Sequence, residues 1–157
     1  MTNSFTHGSA PKSLTVLGST GSIGQNTLDI VRHSPESFEL IALTGNKNVK
    51  LLIEQAIEFL PKFAVVADPD LYNDLKKGLS GTSIRVGSGY SALNEAAELD
   101  SDLVMAGIVG IAGLSPTLAA IKQGGIVALA NKECLVCAGQ LFMDEIAKSG
   151  ATLIPVD

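Results

Sequence analysis

The sequence has 157 residues, 46% apolar and 17% charged, which suffices for one domain with a buried core. Its net charge of −5 argues against a nucleic-acid partner, because binding a phosphate backbone requires a basic face. No apolar run reaches the roughly 18–20 residues that a membrane-spanning helix needs. Residues 1–13 are polar and lack the apolar segment of a secretory signal, so we expect a disordered tail on a cytoplasmic protein.

The first predicted element is an apolar strand from residue 14, followed by a glycine-rich turn and a helix. The turn reads GSTGSIG over residues 18–24, with glycines three residues apart. Glycines let a ligand approach the backbone closely, and the N–H groups at a helix start bind phosphate. The pattern favours the pyrophosphate turn of a dinucleotide site. An ordinary glycine-rich loop is the alternative, because G-x-x-G-x-x-G is not the commoner G-x-G-x-x-G spacing.

Helices and strands alternate along the rest of the chain. In order, the patterns predict a helix to about 33, a strand over 38–43, a helix over 49–60, a strand over 63–67, a helix over 69–79, a strand over 83–86, a helix over 91–99, a strand over 102–109, a helix over 114–121, a strand over 126–130, a helix over 133–148 and a strand over 152–156. Such alternation with short links requires crossover connections and helices on both faces of a sheet. The sequence therefore predicts an α/β fold: a doubly wound, mostly parallel, Rossmann-like sheet of about seven strands.

The end of the second strand bears on which nucleotide is bound. NAD sites usually place Asp or Glu there to accept a hydrogen bond from the ribose 2′-hydroxyl. Here the sequence reads TGNKN over residues 44–48, with no acid and with Lys47, which would attract a 2′-phosphate. The alternative is a solvated surface lysine. The absent acid together with the lysine predicts NADPH rather than NADH.

Three polar residues, Asn131, Lys132 and Glu133, follow the sixth predicted strand. At the carboxyl end of a parallel strand they suggest a ligand site. A helix cap is the alternative for Asn131 and Glu133, but it leaves Lys132 unexplained, because a cation is disfavoured at a helix start.

Cys134 and Cys137 form a C-x-x-C pair within an apolar helical pattern. A redox pair or half of a zinc site is conceivable, but the two histidines, His7 and His33, are distant in sequence. We therefore interpret the cysteines as packing residues.

Four runs carry a resemblance that covers residues 14–157: LTVLGSTGSIGQNTLDIVRH, IVGIAGLSPTLAAI, ALANKE and LIPVD. Together they resemble the N-terminal domain of the 1-deoxy-D-xylulose 5-phosphate reductoisomerase family. The resemblance implies an NADPH-dependent enzyme of the non-mevalonate isoprenoid pathway. Members isomerise and reduce 1-deoxy-D-xylulose 5-phosphate to 2-C-methyl-D-erythritol 4-phosphate with Mg²⁺ or Mn²⁺, and a homodimer is implied for the full-length protein.

The resemblance also implies roles for individual residues. They are Thr20, Gly21, Ser22 and Ile23 in the cofactor turn, Lys47 and Asn48 near the 2′-phosphate, Asn131 and Glu133 for NADPH, Lys132 as a substrate-binding and catalytic residue, and Asp157 as a metal ligand. Two positions depart from the family pattern: Asn46 replaces a common glycine, and Cys134 replaces a usual serine.

The resemblance implies an NADPH-binding domain over 14–150 and a last strand at 151–157 that leads into a catalytic domain. We expect a truncated chain that lacks turnover by itself, since one carboxylate holds Mg²⁺ weakly.

Two other function classes remain open. A short-chain dehydrogenase or epimerase requires Tyr-x-x-x-Lys, which Tyr72 and Lys76 match, but they follow the third strand rather than the fifth. The other is a nucleotide-binding or regulatory module without chemistry of its own.

Overall fold

A computed structural model describes residues 9–156 and shows one seven-stranded sheet. The strands are β1 (Lys12–Leu17), β2 (Phe38–Gly45), β3 (Phe63–Val66), β4 (Arg85–Ser88), β5 (Leu103–Ala106), β6 (Ile126–Leu129) and β7 (Thr152–Pro155). Every neighbouring pair is parallel, and the order is β4-β3-β2-β1-β5-β6-β7. The predicted doubly wound, Rossmann-like sheet is confirmed.

Six α-helices connect the strands. They are α1 (Ser22–His33), α2 (Val49–Phe59), α3 (Tyr72–Gly78), α4 (Gly89–Glu98), α5 (Leu114–Lys122) and α6 (Lys132–Ser149). Helices α1 to α3 pack on one face of the sheet, and α4 to α6 pack on the other. Strands between two helical layers are buried on both faces, which explains why β3 consists of four buried apolar residues.

The chain changes direction across the sheet at β1. It proceeds outward through β2, β3 and β4, then returns to form β5 on the other side of β1. The connections leaving the carboxyl ends of β1 and β5 therefore diverge and open a crevice, which is where open α/β sheets bind ligands.

Strand boundaries differ from those predicted by two residues or more at β1, β2, β4 and β5, and β2 extends to Gly45 rather than 43. Strand β1 begins at Lys12, inside the predicted tail, because Lys12 pairs with Phe38 and Ser13 bonds to Asp102. Residues 1–8 of that tail lie outside the described residues. Strand β4 runs over Arg85–Ser88 rather than 83–86, and β5 ends at Ala106 rather than 109.

Helix α6 begins at Lys132, and Ala138 within it has non-helical angles, φ −139° and ψ 25°. Across residues 9–156, no helix is both long enough and apolar enough to span a membrane.

Candidate functional site

A cavity of about 440 Å³ opens at the carboxyl ends of β1, β2, β3 and β5. We call it the switch-point cavity. Its lining residues are Gly18, Thr20, Gly21, Thr44, Gly45, Asn46, Lys47, Asn48, Ala67, Tyr90, Leu93, Gly107, Ile108, Val109 and Ala112. This volume falls in the range of about 300–1,000 Å³ typical of small-molecule sites.

The protein's own packing requires two of the three turn glycines. Gly18 has φ +82°, and a Cβ there would lie 2.9 Å from the backbone of Gly107. A Cβ on Gly24 would lie 2.2 Å from the carbonyl oxygen of Gly18. At Gly21 the nearest atom to a Cβ is 3.5 Å away, an ordinary contact. Gly21 faces the cavity, so the space its missing side chain leaves is available to a ligand.

Backbone donors surround that space. Gln25 is the first residue of α1 whose backbone N–H donates a hydrogen bond within the helix, to the Gly21 carbonyl oxygen at 2.9 Å. The amides of Ser22, Ile23 and Gly24 precede it and are first-turn donors, for which a helix contains no acceptor. With the positive end of the helix dipole, they form a site suited to a phosphate group.

The end of β2 holds the start of the glycine turn in place. The Thr44 side-chain oxygen accepts a hydrogen bond from Gly18 N at 2.9 Å, and its carbonyl oxygen accepts one from Ser19 N at 2.7 Å. Thr44 is buried. These bonds occupy the two amides before Thr20, so ligand binding falls to the residues from Thr20 onward.

Lys47 and Asn48 lie on the cavity wall, beyond the end of β2. Asn48 caps α2, with its side-chain oxygen accepting from Leu51 N at 3.1 Å. Lys47 is exposed, and among residues 9–156 no carboxylate forms an ion pair with it. Its ammonium group is therefore available to an anion at the cavity mouth.

Asn131 binds to protein rather than to the cavity. Its Nδ2 donates to the carbonyl oxygens of Ile108 at 2.6 Å and Gly110 at 2.7 Å, and its Oδ1 accepts from Cys134 N at 3.2 Å. The side chain thus caps α6 and fastens the loop after β5, part of which lines the cavity.

The comparisons with known proteins decide the family. The sequence model of the 1-deoxy-D-xylulose 5-phosphate reductoisomerase family matches residues 14–139 of this chain. The chain belongs to this family. A curated relative of that name from Rhodopseudomonas palustris strain BisB18 is 54% identical over 149 residues, covering 95% of this chain and 37% of the relative. The chain thus spans little more than a third of that relative's length.

Solved structures of the family match the fold closely. The reductoisomerase from Zymomonas mobilis in complex with NADPH superposes with a TM-score of 0.92 at 52% identity, over 94% of this chain and 39% of that chain. A reductoisomerase in complex with NADPH, fosmidomycin and magnesium gives a TM-score of 0.88 at 44% identity, over 92% of this chain and 36% of that chain.

The reductoisomerase site residues expected from the sequence fall into separate groups. Thr20, Gly21, Lys47 and Asn48 line the switch-point cavity. Ser22 and Ile23 begin α1 beside it, whereas Asn131, Lys132 and Glu133 lie at the start of α6 and do not line it.

Asp157 lies outside the described residues. Within residues 9–156, no group of three His, Cys, Asp or Glu side chains is placed to hold a metal ion. The described residues alone therefore do not fit a magnesium or manganese centre.

Seven lining residues lie outside the two segments that the sequence indicated, 18–24 and 44–48: Ala67, Tyr90, Leu93, Gly107, Ile108, Val109 and Ala112. Tyr90 and Leu93 belong to α4, which packs across the sheet from β4 to β1. Ala67 could have been identified from the sequence, because it directly follows β3 and the carboxyl ends of parallel strands meet at one edge of the sheet.

The Tyr72–Lys76 pair lies on α3 and does not line the cavity. The Lys76 ammonium lies 6.0 Å from the centre of the Tyr72 ring, as expected for neighbours on one helix face. This position does not support the short-chain dehydrogenase alternative.

Both cysteines are free: Cys134 is buried and Cys137 is exposed. Burial raises the pKa of the Cys134 thiol, which disfavours the reactive thiolate. Cys134 packs in the core cluster with Leu129 and Phe142, so the packing interpretation is confirmed for Cys134. It is wrong for Cys137, which lies on an exposed face of α6.

Proposed function

We propose that this chain binds NADPH in the switch-point cavity. The main support is the open space beside Gly21 on the cavity wall, where a Cβ would meet no protein atom closer than 3.5 Å. First-turn amides of α1 border this space, and Lys47 lies on the same wall. Two anion-binding positions in one cavity fit a dinucleotide that carries both a pyrophosphate and a 2′-phosphate.

The chain's own residues bind and orient the cofactor in this proposal. Thr20, Gly21, Ser22 and Ile23 hold the pyrophosphate, and Lys47 with the Asn48 backbone holds the 2′-phosphate. Asn131 supports the loop over 107–113 through its bonds to Ile108 and Gly110, which is how it contributes to NADPH binding. Glu133 stays a predicted NADPH contact. When bound, the nicotinamide supplies a hydride to the substrate.

We infer that the full-length protein converts 1-deoxy-D-xylulose 5-phosphate to 2-C-methyl-D-erythritol 4-phosphate in the non-mevalonate isoprenoid pathway, as an NADP-dependent oxidoreductase. Family membership supports this, as do the NADPH and magnesium present in solved relatives. Lys132 is the proposed substrate-binding and catalytic residue, since its cation would counter oxyanion charge. Asp157 is a proposed ligand of Mg²⁺ or Mn²⁺. The homodimer and the cytoplasmic location stay predictions.

Parallel calorimetric titrations of the 157-residue chain with NADPH and with NADH test the cofactor proposal. We expect both to bind and NADPH to bind more tightly. Equal affinities would contradict the role of Lys47, and absence of binding would contradict the proposed site. In the same sample, added substrate and Mg²⁺ should leave the absorbance of NADPH unchanged, since we propose that turnover needs the remainder of the longer protein.

A further inference from the structure

Gln55 is a buried amide on α2 that bonds directly to the glycine turn. Its side chain is 5% exposed, and Ser19 is completely buried. The Ser19 hydroxyl donates to Gln55 Oε1 at 2.7 Å, and Gln55 Nε2 donates to the Ser19 carbonyl oxygen at 2.9 Å. Both polar atoms of the Gln55 side chain are thus hydrogen-bonded to one residue, Ser19, which lies 36 positions earlier in the chain.

Packing alone does not account for an amide at this position. The other buried residues of α2 are Leu52 and Ala56, both apolar and fully buried. Burying an amide is unfavourable unless its hydrogen bonds are made, whereas an apolar side chain of similar size needs no partner. Unlike an apolar contact, the two hydrogen bonds of the amide require a particular distance and orientation, so they fix the position of α2 relative to the turn.

The same helix carries the second anion-binding position. Asn48 caps its start, and Lys47 is the residue before the cap. Gln55 lies seven residues beyond Asn48, about 10 Å along the axis at 1.5 Å per residue. Ser19 lies directly before the pyrophosphate-binding residues of the turn. Thr44, at the end of β2, holds the start of the turn through Gly18 and Ser19. The Gln55–Ser19 bonds add a second link, which joins the turn to the helix that Lys47 precedes.

We propose that Gln55 is a positioning residue that sets the distance between the glycine turn and Lys47, and that it thereby contributes to selectivity for NADPH over NADH. The inference rests on the proposed function. NADPH engages both positions at once, so it is sensitive to their separation. NADH engages the turn alone and is much less sensitive.

The test is the ratio of NADPH to NADH affinity in the Gln55→Met chain, measured by calorimetry at a temperature where the chain is folded. Methionine keeps the length of the side chain and removes both bonds to Ser19. We expect the ratio to fall by about tenfold, because a shift of the turn relative to Lys47 weakens the charge-assisted contact with the 2′-phosphate, which only NADPH makes. An unchanged ratio, or an equal loss of affinity for both nucleotides, would overturn the proposal.

Two further variants separate positioning from general stability. Ile121→Ala removes a fully buried side chain on α5, on the face of the sheet opposite to α2, so it should lower the melting temperature and leave the ratio within about twofold. Ser19→Ala removes the Oγ bond to Gln55 and the longer Oγ contact with the Thr44 carbonyl oxygen at 3.2 Å, but it keeps the bond from Gln55 Nε2 to the Ser19 carbonyl oxygen. It should therefore lower the ratio less than Gln55→Met does. The double variant Ser19→Ala/Gln55→Met should match Gln55→Met, because both changes break one link. Additive losses would contradict the proposed link.

Failure of this inference is distinguishable from failure of the proposed function. A wild-type chain that binds neither nucleotide overturns the two together. A wild-type chain that binds both equally leaves the proposed site in place but overturns the role of Lys47, and with it that of Gln55. A wild-type chain that prefers NADPH, with the same preference in Gln55→Met, overturns only the role of Gln55.

Discussion

Gly21 and Gly24 give a test of the glycine turn at the level of single residues. Gly21→Ala places its methyl 3.5 Å from the Gly18 oxygen, whereas Gly24→Ala places it 2.2 Å from the same atom. We expect Gly21→Ala to cost about 1 kcal/mol in free energy of unfolding, because its φ of −77° suits alanine and the loss is that of exchanging glycine for alanine at a helix N-cap. Gly24→Ala should cost more than about 3 kcal/mol.

NADPH affinity should respond differently from stability. Gly21→Ala fills the space proposed for the pyrophosphate, so we expect at least about a tenfold loss of affinity, equivalent to 1.4 kcal/mol. Urea unfolding and calorimetric titration of the same sample measure the two quantities. Normal binding by a folded Gly21→Ala chain would show that the nucleotide does not lie against this turn.

The second residue-level prediction concerns charge at Lys47. Lys47→Glu replaces a cation on the cavity wall with an anion that repels a 2′-phosphate and can accept from a 2′-hydroxyl. A charge-assisted hydrogen bond contributes about 1.5–3 kcal/mol, so NADPH affinity should fall by about 10- to 100-fold while NADH affinity is retained or improved. Titration with both nucleotides measures this.

Lys50→Glu is the matched control, because Lys50 is also exposed and lies three residues further along, outside the cavity lining. Its effect on NADPH affinity should stay within about threefold, the size expected of a screened surface charge. Equal losses in the two variants would assign the effect to net charge rather than to Lys47.

The sequence predicted those residues of the switch-point cavity that lie next to the glycine turn or to the end of β2. It missed the residues that reach the cavity only through the tertiary fold. Thr20, Gly21, Lys47 and Asn48 follow the first two strands directly, so strand ends locate them. Tyr90 comes from α4, and nothing in its local pattern shows that this helix crosses three strands to reach the cavity.

At the level of elements, Asn131 joins a helix start to a loop. Asn131→Asp keeps an oxygen that caps α6 but loses the Nδ2 donor to Ile108 and Gly110. Two partly buried carbonyl groups then lose their donor and face a carboxylate, so we expect a loss of about 1–3 kcal/mol in free energy of unfolding. Urea unfolding at pH 7 measures the loss.

Asn48→Asp is the control for this prediction. Asn48 also caps a helix, but among the described residues its side chain makes only the bond from Leu51 N. Aspartate caps as well as asparagine does, so this substitution should change stability by less than about 0.5 kcal/mol. Similar changes in the free energy of unfolding at both positions would show that Asn131 acts only as a helix cap.

The same contact explains why the predicted strand over 102–109 was too long. Residues Gly107, Ile108 and Val109 continue the apolar run, and apolarity alone extends the strand through them. In the structure, Asn131 draws the carbonyl groups of Ile108 and Gly110 toward α6, and Gly110 has φ +70°. A side chain more than 20 residues later thus ends the strand, and local periodicity contains no trace of it.

At the level of the whole molecule, alternating elements were enough to predict a doubly wound parallel sheet, because parallel neighbours require crossover connections. The strand order was not predicted, and it is the structure that places the reversal of direction at β1. The reversal places the turn after β1, the Lys47 loop after β2 and the loop after β5 at one edge of the sheet. The location of the site is therefore a consequence of the strand order, whereas the selectivity argued for Lys47 and Gln55 depends on particular side chains.

The opposite edge of the sheet carries a pH-dependent contact between the starts of β1 and β5. Ser13 N donates to the Asp102 carboxylate at 2.9 Å, and Asp102 N donates to Ser13 Oγ at 2.7 Å. The hydrogen bond from the Ser13 backbone, followed by that from its side chain, lowers the pKa of Asp102. A lowered carboxyl pKa contributes stability above the unfolded-state value of about 3.9, and this contribution is lost as the pH falls through the lower folded-state value.

Asp102→Asn tests this contact, because the amide oxygen still accepts from Ser13 N but no longer titrates. Below about pH 4, the free energy of unfolding of wild type should fall more steeply with decreasing pH than that of Asp102→Asn. Ser13→Ala, which removes one donor and keeps the backbone N–H, should give an intermediate slope. NADPH affinity at pH 7 should be the same in all three chains, since the contact lies at the edge of the sheet away from the cavity. Identical slopes in wild type and Asp102→Asn would show that the contact does not contribute to acid stability, and altered nucleotide affinity would show that the two edges of the sheet are coupled.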